Sequence, residues 1–195
     1  MRDGVKLAVD VYLPAGLAAD ARVPAILEQT RYYRSSVVKA EFGGGCKPAG
    51  SATINFFVLR GYAWVVVDVR GTGASFGSRD TEYGDAEVAD GAAIADWIVA
   101  QSWSNGAIGS TGQSYVGTTA EMLLRNHPPA VKAIAPRFAG YDFVSEITYP
   151  GGIPNAVFEQ TWPAMIAALD HGTPPAASPV LGPCPVDEDS DGTML

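Results

Sequence analysis

The sequence predicts an α/β fold with a mostly parallel sheet and helices on both faces. Short apolar segments typical of strands alternate with segments of helical periodicity from residue 5 to residue 135. One strand segment, residues 62–68, is nearly all apolar, as expected for a parallel strand that is covered on both faces. A glycine-flanked serine, Ser114, lies between a predicted strand and a predicted helix. Such alternation indicates parallel strands joined by helical crossovers.

The first part of the chain contains two predicted strands and a helix before the apolar strand at residues 62–68. Apolar and polar residues alternate over residues 5–13, which predicts a half-exposed strand. The apolar run at residues 23–27 predicts a second strand, and residues 53–59 predict a short helix. We expect residues 30–50, which lie between these two elements, to form a loop.

The second part continues the alternation. Residues 107–111 and 131–135 predict strands, and residues 115–126 predict the helix between them. Residues 87–101 predict a longer helix, whose expected core face consists of Val88, Ala92, Ala95, Ile98 and Val99. We expect its acidic residues to form a solvated face, namely Asp85, Glu87, Asp90 and Asp96.

The character of the chain changes after Pro136. Residues 148–185 are rich in proline and glycine, with one short helix predicted at residues 156–169, and residues 187–192 are acidic. We therefore divide the chain into a core, residues 1–137, and a second segment, residues 138–195.

Composition excludes several classes of protein. A formal net charge of −8 opposes binding to nucleic acids and to anionic membrane surfaces. No apolar stretch approaches the roughly 20 residues of a spanning helix, and the start shows no signal-peptide pattern. We expect a soluble protein, with compartment and oligomeric state left open. Cys46 and Cys184 match no metal-ligand spacing, and they allow either one disulfide or two free thiols.

The sequence GQSYVG, residues 112–117, is the central motif. A serine on a tight strand-to-helix turn is held out at the carboxyl end of a sheet. The free N–H groups at the helix start favour a developing negative charge. Val116 stands where the second glycine of G-x-S-x-G belongs, and Gly117 follows it. Glycine and serine also suit an ordinary loop or helix cap, but the strand–turn–helix context favours Ser114 as a nucleophile.

Segments along nearly the whole chain resemble the Xaa-Pro dipeptidyl-peptidase-like serine hydrolases of the cocaine-esterase type. They are MRDGVKLA (residues 1–8), RGYA (60–63), DVRGTGASFG (68–77), WI (97–98), WSNGAIG (103–109) and GQSYVG. In that family the nucleophile motif ends in Ser-Tyr-x-Gly, so Val116 fits the pattern. The resemblance implies an α/β-hydrolase fold and a mechanism that needs neither a metal nor an organic cofactor.

Acyl transfer also requires hydrogen-bond donors for the oxyanion. The N–H of Tyr115, directly after the nucleophile, is placed for this role by the turn. The resemblance implies a tyrosine hydroxyl as second donor, and Thr30-Arg31-Tyr32 aligns with the family's Thr-Pro-Tyr. We expect Tyr32 to be this donor. Tyr33 is the alternative, because Arg31 stands where the family has proline.

Two glycine-rich stretches offer other interpretations. Residues 43–45 could form a backbone oxyanion loop, but Phe42 stands where that motif has histidine, so we expect a flexible loop. Residues 71–73 form a lone G-x-G after a strand, which is weak evidence for a nucleotide site, and the resemblance implies a structural loop.

The chain has two histidines that could serve as the base. His127 ends the helix after Ser114, roughly 20 Å away at 1.5 Å per residue, which is the wrong end of the sheet. The order Ser114, Asp142, His171 matches the α/β-hydrolase order of nucleophile, acid and base, but no strand is predicted between the last two. The resemblance implies instead a helical cap insertion, with acid and histidine after it. We therefore interpret residues 138–195 as the start of this cap and the fold as incomplete.

These expectations describe a serine hydrolase that cleaves a small ester or amide, or a short peptide, and that is inactive as this chain alone because its catalytic acid and base lie elsewhere. A Xaa-Pro dipeptidyl aminopeptidase is one alternative, and it would need an anchor for the substrate amino terminus. A non-catalytic α/β-hydrolase-like binding module is another.

Overall fold

The computed structural model describes residues 1–126 and 128–186. His127 and the acidic end at residues 187–192 therefore lie outside the described residues. The strands are β1 (Val9–Tyr12), β2 (Val23–Thr30), β3 (Ser35–Val38), β4 (Cys46–Pro48), β5 (Ala63–Asp68), β6 (Ser104–Gln113), β7 (Val131–Arg137) and β8 (Val180–Pro183). The α-helices are α1 (Ser51–Val58), α2 (Asp85–Ala100), α3 (Tyr115–Met122) and α4 (Ala156–Asp170). Short 3-10 turns at Ala40–Phe42, Leu123–Asn126 and Pro150–Gly152 and a π-helical turn at Val144–Thr148 complete the list.

Five of the described strands form the main sheet, in the order β1-β5-β2-β6-β7. Neighbouring strands from β5 to β7 are parallel, and β1 is antiparallel to β5. Between the parallel strands the chain passes through α1, α2 and α3, as parallel pairing requires. The predicted mostly parallel α/β fold is confirmed.

The core lies on both faces of β5, which is buried along its whole length. Its side chains alternate between two clusters, because successive residues of a strand point to opposite faces. One cluster contains Ala63, Val65 and Val67 with Ile94, Ala95 and Ile98 of α2. The other contains Trp64 and Val66 with Ile26 and with Ile54 of α1. Helices therefore cover both faces of the sheet.

The first strand is shorter than the alternating pattern at residues 5–13 predicts. Its first residues bond to the glycine-rich loop after β5 instead of continuing the sheet. The Phe76 N–H donates to the carbonyl of Lys6 at 3.0 Å, and the Ala8 N–H donates to the Ser75 hydroxyl at 2.8 Å. Only β1, Val9–Tyr12, pairs with β5.

The prediction of a loop over residues 30–50 is wrong in part. This region contains β3 and β4, which form a small antiparallel sheet with β8. A disulfide joins Cys46 to Cys184, with Cα atoms 5.7 Å apart. Of the two alternatives that the sequence allowed, one disulfide or two free thiols, the structure contains the disulfide. Since β8 lies more than 140 residues after β3, no local pattern around β3 indicates the pairing.

The long helix α2 departs from its predicted faces. Glu87 and Asp90, predicted to be solvated, are buried, whereas Val99, predicted to face the core, is exposed. Asp90 accepts two hydrogen bonds from the Arg70 guanidinium, at 2.7 and 2.6 Å. The acidic face is therefore wrong at these two positions, because Asp90 pairs with Arg70 on the loop after β5 and Glu87 accepts a hydrogen bond from the Tyr115 hydroxyl of α3. Among the described helices, none is long and apolar enough to cross a membrane.

Candidate active site

Ser114 occupies the sharp turn between β6 and α3. Its backbone has φ 60° and ψ −127°, an arrangement that residues with a Cβ rarely adopt. The Ser114 N–H donates to the carbonyl of Arg137 at the end of β7, at 3.0 Å, which holds the turn against the sheet. A strained serine at a strand-to-helix turn is typical of the nucleophile elbow of α/β-hydrolases.

Two glycines make this turn sterically feasible. A Cβ on Gly112 would lie 2.2 Å from Cγ1 of Val116, and a Cβ on Gly117 would lie 2.6 Å from the carbonyl oxygen of Arg137. The second glycine is thus needed at residue 117, where α3 passes β7. Val116 occupies the preceding position because its side chain packs over Gly112. The departure from G-x-S-x-G therefore has a packing reason.

Ser114 opens onto a cavity of about 270 Å³ between the carboxyl end of the sheet and the segment that follows β7. The lining residues used below are Tyr32, Tyr115, Phe143, Glu146, Phe158 and Trp162. Most of the lining is apolar or aromatic, and Glu146 is its one charged side chain in the described part of the chain. Neither histidine nor aspartate is found among these described lining residues.

Tyr115 is the first residue of α3, so its N–H has no acceptor one turn earlier in the helix. Its side chain is buried and stacks on Tyr83, with ring centroids 4.5 Å apart. The Tyr115 hydroxyl donates to Oε1 of Glu87 at 2.5 Å. Burial raises the pKa of both groups above their ordinary values. The Tyr115 side chain therefore anchors the start of α3.

The two candidate tyrosines after β2 differ in placement. Tyr32 lines the cavity that Ser114 lines, and its ring packs edge-to-face on Tyr115 with centroids 5.9 Å apart. Tyr33 is 1% exposed, has φ 72°, and donates its hydroxyl to the carbonyl of Leu169 at 2.5 Å. The structure thus brings Tyr32 together with Ser114 and Tyr115. The Tyr33 hydroxyl is instead hydrogen-bonded to the end of α4.

Charged side chains that the sequence did not single out as a group surround this region. We call Arg31, Arg79, Glu82, Glu87 and Asp170 the anchor cluster. The Arg31 guanidinium is fully buried, and one of its nitrogens donates to both Asp170 oxygens at 2.7 Å. Arg31 lies 3.2 Å from Glu82, and Arg79 lies 3.2 Å from Glu82, 3.7 Å from Asp170 and 3.9 Å from Glu87. The anchor cluster connects the end of α4 to the core.

The order Ser114, Asp142, His171 does not form a triad. Asp142 is exposed, and its carboxylate accepts from the Val144 N–H at 3.0 Å and from the Ser145 hydroxyl at 2.7 Å. His171 is exposed at the end of α4. Neither residue lines the cavity of Ser114.

The two glycine-rich stretches have structural roles. Residues 43–45 connect β3 to β4 with positive φ at each glycine and lie away from the cavity. Residues 71–73 wrap the buried carboxylate of Asp68, which accepts from the Ala74 N–H at 3.0 Å. A Cβ on Gly73 would lie 2.2 Å from an Asp68 oxygen. The structural-loop prediction for residues 71–73 agrees with this geometry.

Comparison with known proteins agrees with the geometry. The family model described as "X-Pro dipeptidyl-peptidase (S15 family)" matches residues 3–181. The chain is 49% identical over its whole length to a protein named as a serine esterase in Mycobacterium bovis, and covers 33% of that protein. It is 36% identical to the cocaine esterase of a Rhodococcus species, over 85% of this chain and 27% of the relative.

A solved structure shares the same fold. A CocE/NonD family hydrolase from Staphylococcus aureus superimposes with a TM-score of 0.74 at 29% identity, over 89% of this chain and 32% of that one. The chain thus spans about a third of the length of the relatives that it matches.

Proposed function

Because this chain belongs to the X-Pro dipeptidyl-peptidase S15 family, we propose that it is the nucleophile-bearing part of a serine hydrolase that cleaves an ester or amide. The observation that carries the proposal is Ser114 on its strained turn, opening onto a cavity that Tyr32 also lines. The S15 match over residues 3–181 supports the same reaction class.

The proposed reaction begins when the Ser114 hydroxyl oxygen attacks the carbonyl carbon of the substrate. A histidine takes the Ser114 proton and passes it to the leaving alcohol or amine as the carbonyl-to-leaving-group bond breaks. Water then attacks the acyl-enzyme, which releases the acid and returns the proton to Ser114. The Tyr115 N–H and the Tyr32 hydroxyl stabilise the negative oxygen in both steps.

The catalytic histidine and its orienting acid are proposed to lie outside residues 1–195. Two observations support this. The described lining of the Ser114 cavity contains no histidine, and the chain spans about a third of the length of its relatives. We propose that residues 138–195 begin a helical cap, since Phe143, Phe158 and Trp162 from this segment cover the cavity. An aromatic cover of this kind suits a small substrate with an apolar acyl group.

A Xaa-Pro dipeptidyl aminopeptidase is the second candidate, and Glu146 favours it. The cavity contains this one carboxylate among its described charged groups, and the Tyr141 N–H occupies one of its oxygens at 2.9 Å. The other oxygen could accept a hydrogen bond from the ammonium group of a peptide. A peptidase would cleave a dipeptide–proline anilide faster than a simple aryl ester, and Glu146→Gln would raise KM for the anilide alone.

The test of the proposed function is ester hydrolysis by the full-length protein, meaning the longer gene product to which we assign this chain. Ser114→Ala should lower kcat by at least about 1000-fold, as removal of a nucleophile does. The matched control is Ser110→Ala on β6, the strand before the turn, whose hydroxyl donates to the carbonyl of Leu27 and which is not among the described residues that line the cavity. Ester hydrolysis that survives Ser114→Ala would rule out Ser114 as the nucleophile, and a full-length protein that hydrolyses no ester would leave the binding-module alternative standing.

A further inference from the structure

The phenol of Tyr32 has a partner on α4. The indole Nε1 of Trp162 lies 3.0 Å from the Tyr32 hydroxyl oxygen. An indole N–H can only donate, so the Tyr32 oxygen must accept this bond. The single proton of Tyr32 is then left for a different acceptor.

The bond from Trp162 fixes how Tyr32 can donate. The phenol lines the cavity onto which Ser114 opens, and one side of its oxygen is taken by the indole. Hydrogen bonds in a chain polarise one another, so a hydroxyl that accepts a bond becomes a stronger donor. Trp162 therefore both restricts the direction of the Tyr32 proton and strengthens its donation.

Several contacts hold the indole in this place. Its ring stacks on Phe158 with centroids 5.5 Å apart and lies 6.0 Å from the ring of Phe143. The Arg31 guanidinium carbon lies 5.6 Å from the indole centroid, within the range of a cation–π contact. Arg31 also binds Asp170, the last residue of α4, and directly precedes Tyr32 in the chain. The helix is thus attached to the Tyr32 loop at two points.

We propose that Trp162 is a positioning residue of the oxyanion hole, acting through the Tyr32 hydroxyl. The proposal rests on the proposed function, because it requires Tyr32 to donate to the oxyanion. Its consequence is that the hole is complete only when α4 is docked on the loop after β2. The cap segment then contributes to the chemical step as well as to the shape of the cavity.

The test is a double-mutant cycle on kcat for ester hydrolysis by the full-length protein. Tyr32→Phe alone should lower kcat about 100-fold, as loss of one oxyanion donor does. Trp162→Phe keeps an aromatic ring and removes the N–H, so it should lower kcat about 3- to 10-fold, the effect of one hydrogen bond, with little change in KM. In the Tyr32→Phe background, Trp162→Phe should cause no further loss of kcat.

The outcomes separate this inference from the proposed function. If Tyr32→Phe lowers kcat but Trp162→Phe does not, or if the two losses multiply, Trp162 acts only by packing and the inference is overturned while the serine hydrolase stands. If Tyr32→Phe leaves kcat unchanged, the proposed oxyanion donor fails and this inference fails with it. Should Trp162→Phe not fold, benzothienylalanine at residue 162 keeps the bicyclic shape without the N–H, and the same cycle applies to it.

Discussion

The turn that carries Ser114 and the loop that carries Tyr32 face one cavity, but they are held by different means. The Ser114 turn depends on the close approach of Gly112 to Val116 and on the contacts of α3 with the Arg137 carbonyl at the end of β7. The Tyr32 loop depends on α4, more than 120 residues away, through Trp162 and the Arg31–Asp170 ion pair. The proposed nucleophile is thus positioned by the core alone, whereas the proposed oxyanion tyrosine needs the segment after β7.

Substitution of the two turn glycines, Gly112 and Gly117, should have the largest effect on stability, because it disrupts the Ser114 turn. The Cβ of Gly112→Ala or Gly117→Ala would overlap Val116 or the Arg137 carbonyl, and neither position has room to give. We expect each variant to lose more than about 3 kcal/mol of unfolding free energy, at the upper end for overpacking. Chemical denaturation measures this loss.

Gly182 in β8 is the matched control for these glycines, because a Cβ there would meet no atom within 4 Å. Gly182→Ala should change the unfolding free energy by less than about 0.5 kcal/mol. Equal losses at residues 112, 117 and 182 would contradict the steric account of the turn.

Loss of the disulfide should have the next largest effect, on the side of the molecule that contains the Tyr32 loop. Cys46 and Cys184 are separated by 138 residues in sequence, and a long closed loop reduces the entropy of the unfolded chain. Replacing both cysteines by serine should cost about 3 kcal/mol in urea denaturation. Reductant should lower the free energy of unfolding of the unsubstituted protein by a similar amount, and it should leave that of the double variant unchanged.

Arg31→Met tests the anchor cluster by removing the fully buried cation that holds Asp170 and Glu82. Removing one member of a buried ion pair leaves the other charge buried without a partner, but Asp170 is 35% exposed and water can reach it. We therefore expect Arg31→Met to lower the free energy of unfolding by about 2 kcal/mol, less than for a fully buried pair. We also expect a lower kcat, because the Tyr32 loop is released from α4.

Arg125→Met is the surface control for Arg31→Met. Arg125 pairs with Asp85 at 3.6 Å where both side chains are exposed, and exposed pairs contribute little. It should change neither the unfolding free energy nor kcat measurably. Similar effects of the two arginine substitutions would show that the buried cluster has no special role.

Apart from the controls, the smallest changes in stability are expected for the two neighbouring tyrosines, which should differ in their effect on kcat. Tyr33→Phe removes the bond to the Leu169 carbonyl and should cost about 1 kcal/mol of stability without a change in kcat. Tyr32→Phe should cost a similar amount of stability, because it removes the acceptor of the Trp162 N–H, but of the two substitutions it alone should lower kcat. The opposite result, with kcat dependent on Tyr33, would move the proposed oxyanion donor to that residue.

Sequence reasoning succeeded where the determinants are close together in the chain. The strand–turn–helix around Ser114 is contained within a few residues, and the apolar run of β5 reveals a strand buried on both faces. It failed where partners are distant. Glu87 and Asp90 were predicted to be solvated because the residues that bind them lie on other elements. The pairing of β3 with β8 was not predicted because it joins segments that are far apart in the chain.

Tyr32 lies between these cases. The resemblance of its loop to a known family selected it, but the geometry that separates it from Tyr33 depends on how α4 docks. The contact from Trp162 could not be predicted, because the periodicity of α4 indicates a helix and not which residue it meets.

The most direct test of the central claim is to treat the full-length protein with a fluorophosphonate and locate the adduct by peptide mass spectrometry. Such a probe phosphonylates an activated serine and leaves ordinary hydroxyls untouched. We predict a single adduct on Ser114, absent in Ser114→Ala and retained in Ser110→Ala. An adduct on another residue, or none in a protein that still hydrolyses esters, would contradict the assignment of Ser114 as nucleophile.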